Sequence, residues 1–60
     1  ASALYRYGLA QAINGDLTGA RLTFLQLRQL WGEHSYGEAK AEIDRFSGSK
    51  YPILKELRLP

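Results

Sequence analysis

The side chains that could do chemistry are few and stand close together in the sequence. The chain has a single histidine, His34, and no cysteine. His34 adjoins Glu33 and Ser35, with Glu38 four residues further on. A metal site needs three or four convergent ligands, and a serine nucleophile needs an orienting group and an oxyanion site besides its base. We therefore interpret His34 as an exposed loop residue at a helix end, and we expect no enzyme activity, no metal and no cofactor.

The basic side chains are dispersed rather than gathered on one face. Eight Lys and Arg residues against six Asp and Glu give a formal net charge of +2. Arg21 and Arg28 share the outer face of one predicted helix, but Glu33, Glu38 and Glu42 dilute the positive field. Binding of nucleic acid by a small basic helical domain, with the second and third predicted helices as a helix-turn-helix, remains the alternative that we favour less.

The length and composition predict one small globular domain, residues 1–60. The apolar fraction of 45% and the charged fraction of 23% are ordinary for a folded protein. A chain this short buries only about 60% of the surface of its unfolded form, so its stability is marginal. Apolar runs fall short of the ~20 residues of a membrane span. We expect a soluble protein, and a cysteine-free chain is compatible with the cytoplasm or the periplasm.

Turn chemistry divides the chain into four predicted helical segments, and nothing reads as a strand. The breaks are centred on Gly15, Gly32 and Gly48. The first segment covers residues 2–14, with Ser2 as a possible cap, and Gly8 inside it suggests the close approach of another backbone. The second covers residues 18–31.

The second segment carries the clearest apolar stripe. Asp16 or Thr18 can cap its first turn, and Gly32 is a natural stop. The stripe recurs at helical spacing and predicts a buried face. Its members are Ala20, Phe24, Leu27 and Trp31, widened by Leu17, Leu22, Leu25 and Leu30.

The third segment begins with the pattern of a capping box, Ser35 to Glu38. Its apolar stripe consists of Tyr36, Ala39, Ile43 and Phe46. Lys40 with Asp44, and Glu42 with Arg45, are opposite charges at helical spacing. The fourth segment, residues 50–59, has a proline in its first turn and is too short to persist without docking on something.

The first 33 residues resemble one tetratricopeptide repeat, a pair of antiparallel helices. Leu4, Tyr7, Gly8, Ala20 and Phe24 match the family's pattern, with Gly-Asp at the turn. The resemblance implies an all-α fold: a helix hairpin (1–33), then a third amphipathic helix and a short C-terminal helix (35–59). It also implies that the chain is a fragment or the end of a longer repeat protein. Residues 36–46 look like a second helix of such a repeat, as in bacterial envelope proteins of the family.

The sequence departs from the family's pattern at three positions. Gln11 replaces a large apolar residue, Leu27 a small one, and Gly32 the usual proline. These departures affect packing towards a following repeat. They favour a terminal or irregular repeat.

The resemblance also implies a binding surface. First-helix positions line the family's concave groove, and here they correspond to Ser2, Tyr5, Leu9, Ala12 and Ile13. The function expected from this is a non-catalytic scaffold for protein–protein interaction and assembly. Its partner would be a protein, a peptide, neighbouring repeats of the same chain or a second copy. A regulatory or docking domain appended to an enzyme is a further alternative.

Overall fold

Three α-helices follow the glycine-centred breaks of the sequence. The computed structural model describes residues 2–60, and nothing is described of the Ser2 side chain. The helices are α1 (Ser2–Ile13), α2 (Leu17–Trp31) and α3 (Glu33–Ser47), and a 3₁₀ helix (Pro52–Glu56) follows. We call residues 50–60 the C-terminal segment. Within residues 2–60 there is no strand, so the predicted all-α class is confirmed; the predicted cap at Ser2 lies outside the described residues.

Helix α2 begins and buries its stripe as the sequence predicts. The Asp16 carboxylate caps it, with Oδ1 accepting from the Gly19 amide at 3.0 Å. Ala20, Phe24 and Leu27 are fully buried, and Trp31 is half-buried. This face forms the centre of the core.

The predicted widening of that stripe is wrong for two leucines. Leu22 and Leu30 are 61% and 74% exposed. At 100° per residue, Leu22 lies about 160° around the helix from Phe24, so the two side chains point in nearly opposite directions. Leu30 lies only about 20° from the buried Thr23 on the same helical wheel, so its exposure follows from its place in the last turn of α2 rather than from the side on which it lies.

Helices α1 and α2 meet where a glycine faces an aromatic ring. A Cβ atom built on Gly8 would lie 2.9 Å from both Cε2 and Cζ of Phe24. The close approach predicted at Gly8 is therefore real, but a side chain makes it rather than a backbone. Because the fully buried Phe24 ring needs this space, glycine is the residue that fits.

A polar pair lies beside that contact. Thr23 is the buried polar residue of the core, and its hydroxyl donates to Gln11 Oε1 at 2.5 Å, with the Gly19 carbonyl oxygen 3.0 Å away. A buried hydroxyl without a partner would be costly. Gln11, which departs from the repeat pattern, thus satisfies Thr23.

The capping box predicted at Ser35 is wrong. Helix α3 begins two residues earlier, at Glu33, and has no side-chain cap. Gly32 alone joins it to α2, with φ +90° and ψ 173°. A positive φ lets the chain turn within one residue, and the Tyr36 amide already donates to the Gly32 carbonyl at 3.1 Å. Ser35 therefore lies inside the first turn.

Helix α3 packs through the predicted face. Tyr36, Ala39 and Ile43 are buried. Arg45 and Glu42 form the predicted ion pair, with Nη2 and Oε2 3.7 Å apart. The Lys40–Asp44 pair does not form.

The C-terminal segment docks between the helices, but not as the α-helix that the sequence predicts. Its amides bond three residues back, as the 3.0 Å contact from the Leu54 amide to the Tyr51 carbonyl shows. Arg21 of α2 donates from Nε to the Leu57 carbonyl at 2.7 Å and from Nη2 to the Glu56 carbonyl at 3.0 Å. The Glu56 and Leu57 carbonyls, which would accept from backbone amides in a further helical turn, accept from Arg21 instead. The 3₁₀ helix therefore ends at Glu56.

Candidate protein-interaction surface

The groups that could do chemistry lie on the exposed surface of α3. The His34 side chain is 91% exposed, with Nε2 3.8 Å from Glu38 Oε1. It lies within the first turn of α3 rather than in a loop. Over residues 2–60, no group of three or more His, Asp or Glu side chains is placed to hold a metal ion.

The five residues of the implied groove lie in different environments. Ala12 is fully buried in the core and presents no surface. Leu9 is half-buried and packs against the core, whereas Ile13 is 37% exposed. The side chain of Ser2 is outside the described residues. These positions therefore do not form one open surface on α1.

Tyr5, the aromatic member of that set, is engaged inside the molecule. Its hydroxyl donates to Glu42 Oε1 of α3 at 2.5 Å. Its ring meets the Phe24 ring edge-on, with centroids 6.1 Å apart. Burial, with added contributions from the Glu42 hydrogen bond and charge, raises the pKa of the Tyr5 hydroxyl far above its usual range. Tyr5 thus joins α1 to both other helices.

The most exposed large apolar side chains belong to α1 and α2. Tyr7 is 59% exposed, and Leu22 and Leu30 are still more so. Gln11 of α1 and Thr23 of α2 are hydrogen-bonded to each other along one side of the helix pair. Tyr7 lies about 40° from Gln11 on the wheel of α1, and Leu30 and Leu22 lie about 20° and 100° from Thr23 on the wheel of α2, in each case away from the Gly8–Phe24 contact. Helical geometry therefore places all three on one side of the α1–α2 pair, away from the C-terminal segment. We call Tyr7, Leu22 and Leu30 the apolar flank.

Sequence reasoning missed this flank, although a signal existed. Angular position alone separates Leu22 from Phe24 on a helical wheel, and Tyr7 lies 100° from Gly8. The tetratricopeptide pattern instead treats position 7 as structural. That pattern therefore assigns partner binding to α1 residues such as Tyr5, Leu9 and Ala12, which pack against or within the core.

The cations near α3 are engaged within the fold. Arg28 forms an ion pair with Glu33, and its guanidinium lies 5.4 Å from the centre of the Tyr36 ring. The Lys40 ammonium lies 5.7 Å from the same ring. Such pairing and cation–π contact leave a weak net field for a polyanion on this side.

Comparison with protein families, with curated proteins and with solved structures finds no match to this chain. Across residues 2–60, every helix is too short or too polar to cross a membrane.

Proposed function

We propose that this chain is a non-catalytic helical module that binds other proteins, with α1 and α2 as an antiparallel hairpin of the tetratricopeptide type. The occupant of its surface is another helix pair of the same kind, from a neighbouring repeat or a second copy. The observation that carries the proposal is the apolar flank, where three large side chains are between 59% and 74% exposed.

The energetics favour a covered flank. Fully burying a leucine-sized side chain contributes about 1.5–3 kcal/mol. A domain of this size has a total stability of only a few kcal/mol. Covering the flank would therefore add a sizeable fraction of the stability of the isolated chain, which is how stacked repeats stabilise one another.

The positions that carry the family resemblance support the hairpin. Gly8 accommodates the Phe24 ring, and Ala20 is fully buried beside it. Gly8 opposite the ring, and a small residue one turn before the ring on α2, let the two helices pack closely. Gln11, the departure within this face, has a structural explanation in its bond with Thr23.

The groove implied by the resemblance contributes less to the proposed surface. Ile13 is its most exposed described member and lies on another side of α1. Tyr5 would have to leave Glu42 and Phe24 before a partner could use it. We therefore assign partner binding first to Tyr7, Leu22 and Leu30.

The test is the association state of the 60-residue chain. We expect sedimentation equilibrium to show reversible self-association, and the midpoint of thermal unfolding to rise with concentration, because association stabilises the folded form. The triple variant Tyr7→Ser, Leu22→Gln, Leu30→Gln should remain helical and lose both effects. Ala10→Gln with Ala41→Gln, also at exposed helical positions, is the matched control. A parent chain that stays monomeric at all concentrations, with an invariant midpoint, would contradict the proposal.

A further inference from the structure

The outward side of α2 carries no charge. The two charged residues of this helix are both engaged within the fold, Arg21 with the C-terminal segment and Arg28 with Glu33. Helix α3, also 15 residues long, carries six charged residues. Because Lys, Glu and Asp are depleted at the centre of protein interfaces, the outward side of α2 has the composition of a covered surface. Its exposed positions are all neutral: Thr18, Leu22, Gln26, Gln29 and Leu30.

Three of these residues form one row along the helix. Leu22, Gln26 and Leu30 are spaced by four, so each lies about 40° further around the helix than the one before it. The row reads the same from either end, with a leucine, a central glutamine and a leucine. It therefore presents the same pattern to a helix that runs in the opposite direction.

A row with this symmetry is complementary to itself. In a two-fold dimer the same surface of both copies takes part, so residue i of one copy meets residue j of the other and the reverse. If two α2 helices run antiparallel across an axis at Gln26, Leu22 of each copy lies beside Leu30 of the other. Both exposed leucines are then covered by apolar side chains.

The glutamine is suited to the axis position, where a residue meets its own copy. A carboxylate or an ammonium group there would meet a like charge. A side-chain amide has both a donor and an acceptor, so two of them can bond to each other reciprocally. Gln26 is exposed, and its amide can be reached by a second copy.

We propose that the partner of the apolar flank is a second copy of this chain, with the two α2 helices antiparallel about a two-fold axis at Gln26. This inference rests on the proposed function and specifies its partner and its register. A lipid surface is a poorer match, because helices that lie on membranes are rich in Lys and Arg on their polar face. The exposed positions of α2 include neither.

Charged variants test which residues meet. Leu22→Lys and Leu30→Glu should each weaken self-association in sedimentation equilibrium at least tenfold, because each places an unpaired charge at both ends of the interface. An equimolar mixture of the two should associate at least fivefold more tightly than either variant alone. In the mixed dimer one end regains its two leucines and the other pairs opposite charges. In a parallel dimer position 22 would meet position 22, and mixing would restore nothing.

Single cysteines test the position of the axis, and the parent chain has none. A disulfide forms only where Cβ atoms come within about 4.5 Å. Under mild oxidation Gln26→Cys should therefore form a linked dimer at least tenfold faster than Gln29→Cys. Gln29 is the matched control, since it is also an exposed glutamine of α2. Its two copies would be separated by about 9 Å along the helices. Circular dichroism should show unchanged helicity in every variant.

The outcomes separate this inference from the proposed function. Self-association without the fast Gln26→Cys link, or without recovery in the mixture of charged variants, overturns the register and leaves the proposed function standing. A parent chain that is monomeric at all concentrations contradicts both. Binding to phosphatidylcholine vesicles by a chain that forms no dimer would assign the face to a lipid surface instead.

Discussion

The ring of Phe24 occupies the space that a side chain at position 8 would need. A Cβ on Gly8 would stand 2.9 Å from two ring atoms. Phe24 is fully buried, so its ring is enclosed by the other side chains of the core. The absence of a side chain at position 8 thus lets α1 pack closely on the Phe24 ring of α2.

Replacing Gly8 by alanine tests this fit. Alanine favours a helix over glycine by about 1 kcal/mol, yet overpacking a core costs about 1–3 kcal/mol. We expect Gly8→Ala to lower the free energy of unfolding in urea. Gly37→Ala is the matched control, because nothing lies within 4 Å of a Cβ at that helical position, and it should stabilise the chain. Equal gains for both variants would contradict the close packing.

The Tyr5–Glu42 bond predicts how stability depends on alkaline pH. Burial and Glu42 raise the pKa of the Tyr5 hydroxyl in the folded chain, whereas in the unfolded chain it stays near about 10. Above that pH the unfolded chain releases a proton that the folded chain retains, so the free energy of unfolding falls as pH rises. Burial also raises the pKa of Tyr36, in the same direction.

Tyr5→Phe should therefore reduce the loss of stability between about pH 9 and about pH 11, measured by urea unfolding. At neutral pH it should cost roughly 0.5–1.5 kcal/mol, the usual contribution of one hydrogen bond. Tyr7→Phe is the control, since Tyr7 is mostly exposed. An unchanged alkaline loss in Tyr5→Phe would show that another group causes it.

Arg21 predicts a local effect on the C-terminal segment. Arg21→Gln removes both bonds to the Glu56 and Leu57 carbonyls, and hydrogen bonds of charged groups contribute about 1.5–3 kcal/mol, less where solvent reaches them. Hydrogen exchange should speed up at the Leu54 and Leu57 amides more than in α1. Arg6→Gln, at an exposed position of α1, should leave both rates unchanged. Uniform acceleration across the chain would argue for global destabilisation instead.

The first turns of α2 and α3 should respond differently when a polar side chain is removed. Asp16→Ala removes the bond to the Gly19 amide and should cost about 1 kcal/mol. Ser35→Ala should change stability by less than about 0.5 kcal/mol, because Ser35 caps nothing. Thermal unfolding followed by circular dichroism measures both. A larger loss for Ser35→Ala than for Asp16→Ala would reverse the assignment of the caps.

Local sequence patterns predicted the buried face of a helix better than they predicted how that helix joins its neighbours. The spacing of Ala20, Phe24 and Leu27 gave the buried face of α2 correctly, because burial on a helix follows its period. The capping box at Ser35 failed because Gly32 turns the chain within one residue, and the glycine conformation is decided by how α2 and α3 pack. A local signal of about 1 kcal/mol is easily overridden by such packing.

The candidate surface was harder to predict, since it depends on which side of each helix is covered. The family resemblance predicts Tyr5 as a partner-binding residue, but its hydroxyl is bonded to Glu42 of α3. The helical spacing predicts an ion pair of Lys40 with Asp44, but the Lys40 ammonium instead donates to the Pro60 carbonyl at 2.6 Å. Both outcomes involve residues at least 20 positions apart, which periodicity within one helix cannot relate.

Because Gly32 alone joins α2 to α3, its backbone dihedral angles set the direction of α3. Glu42 lies about 14 Å along α3 from its start, so a change of about 20° in a Gly32 dihedral angle would move it by up to about 5 Å. The hydrogen bond from Tyr5 to Glu42 tolerates far less than that. The bond from Tyr5 near the far end of α3, together with the buried Tyr36 and Ile43, therefore holds a helix direction that Gly32 by itself leaves open.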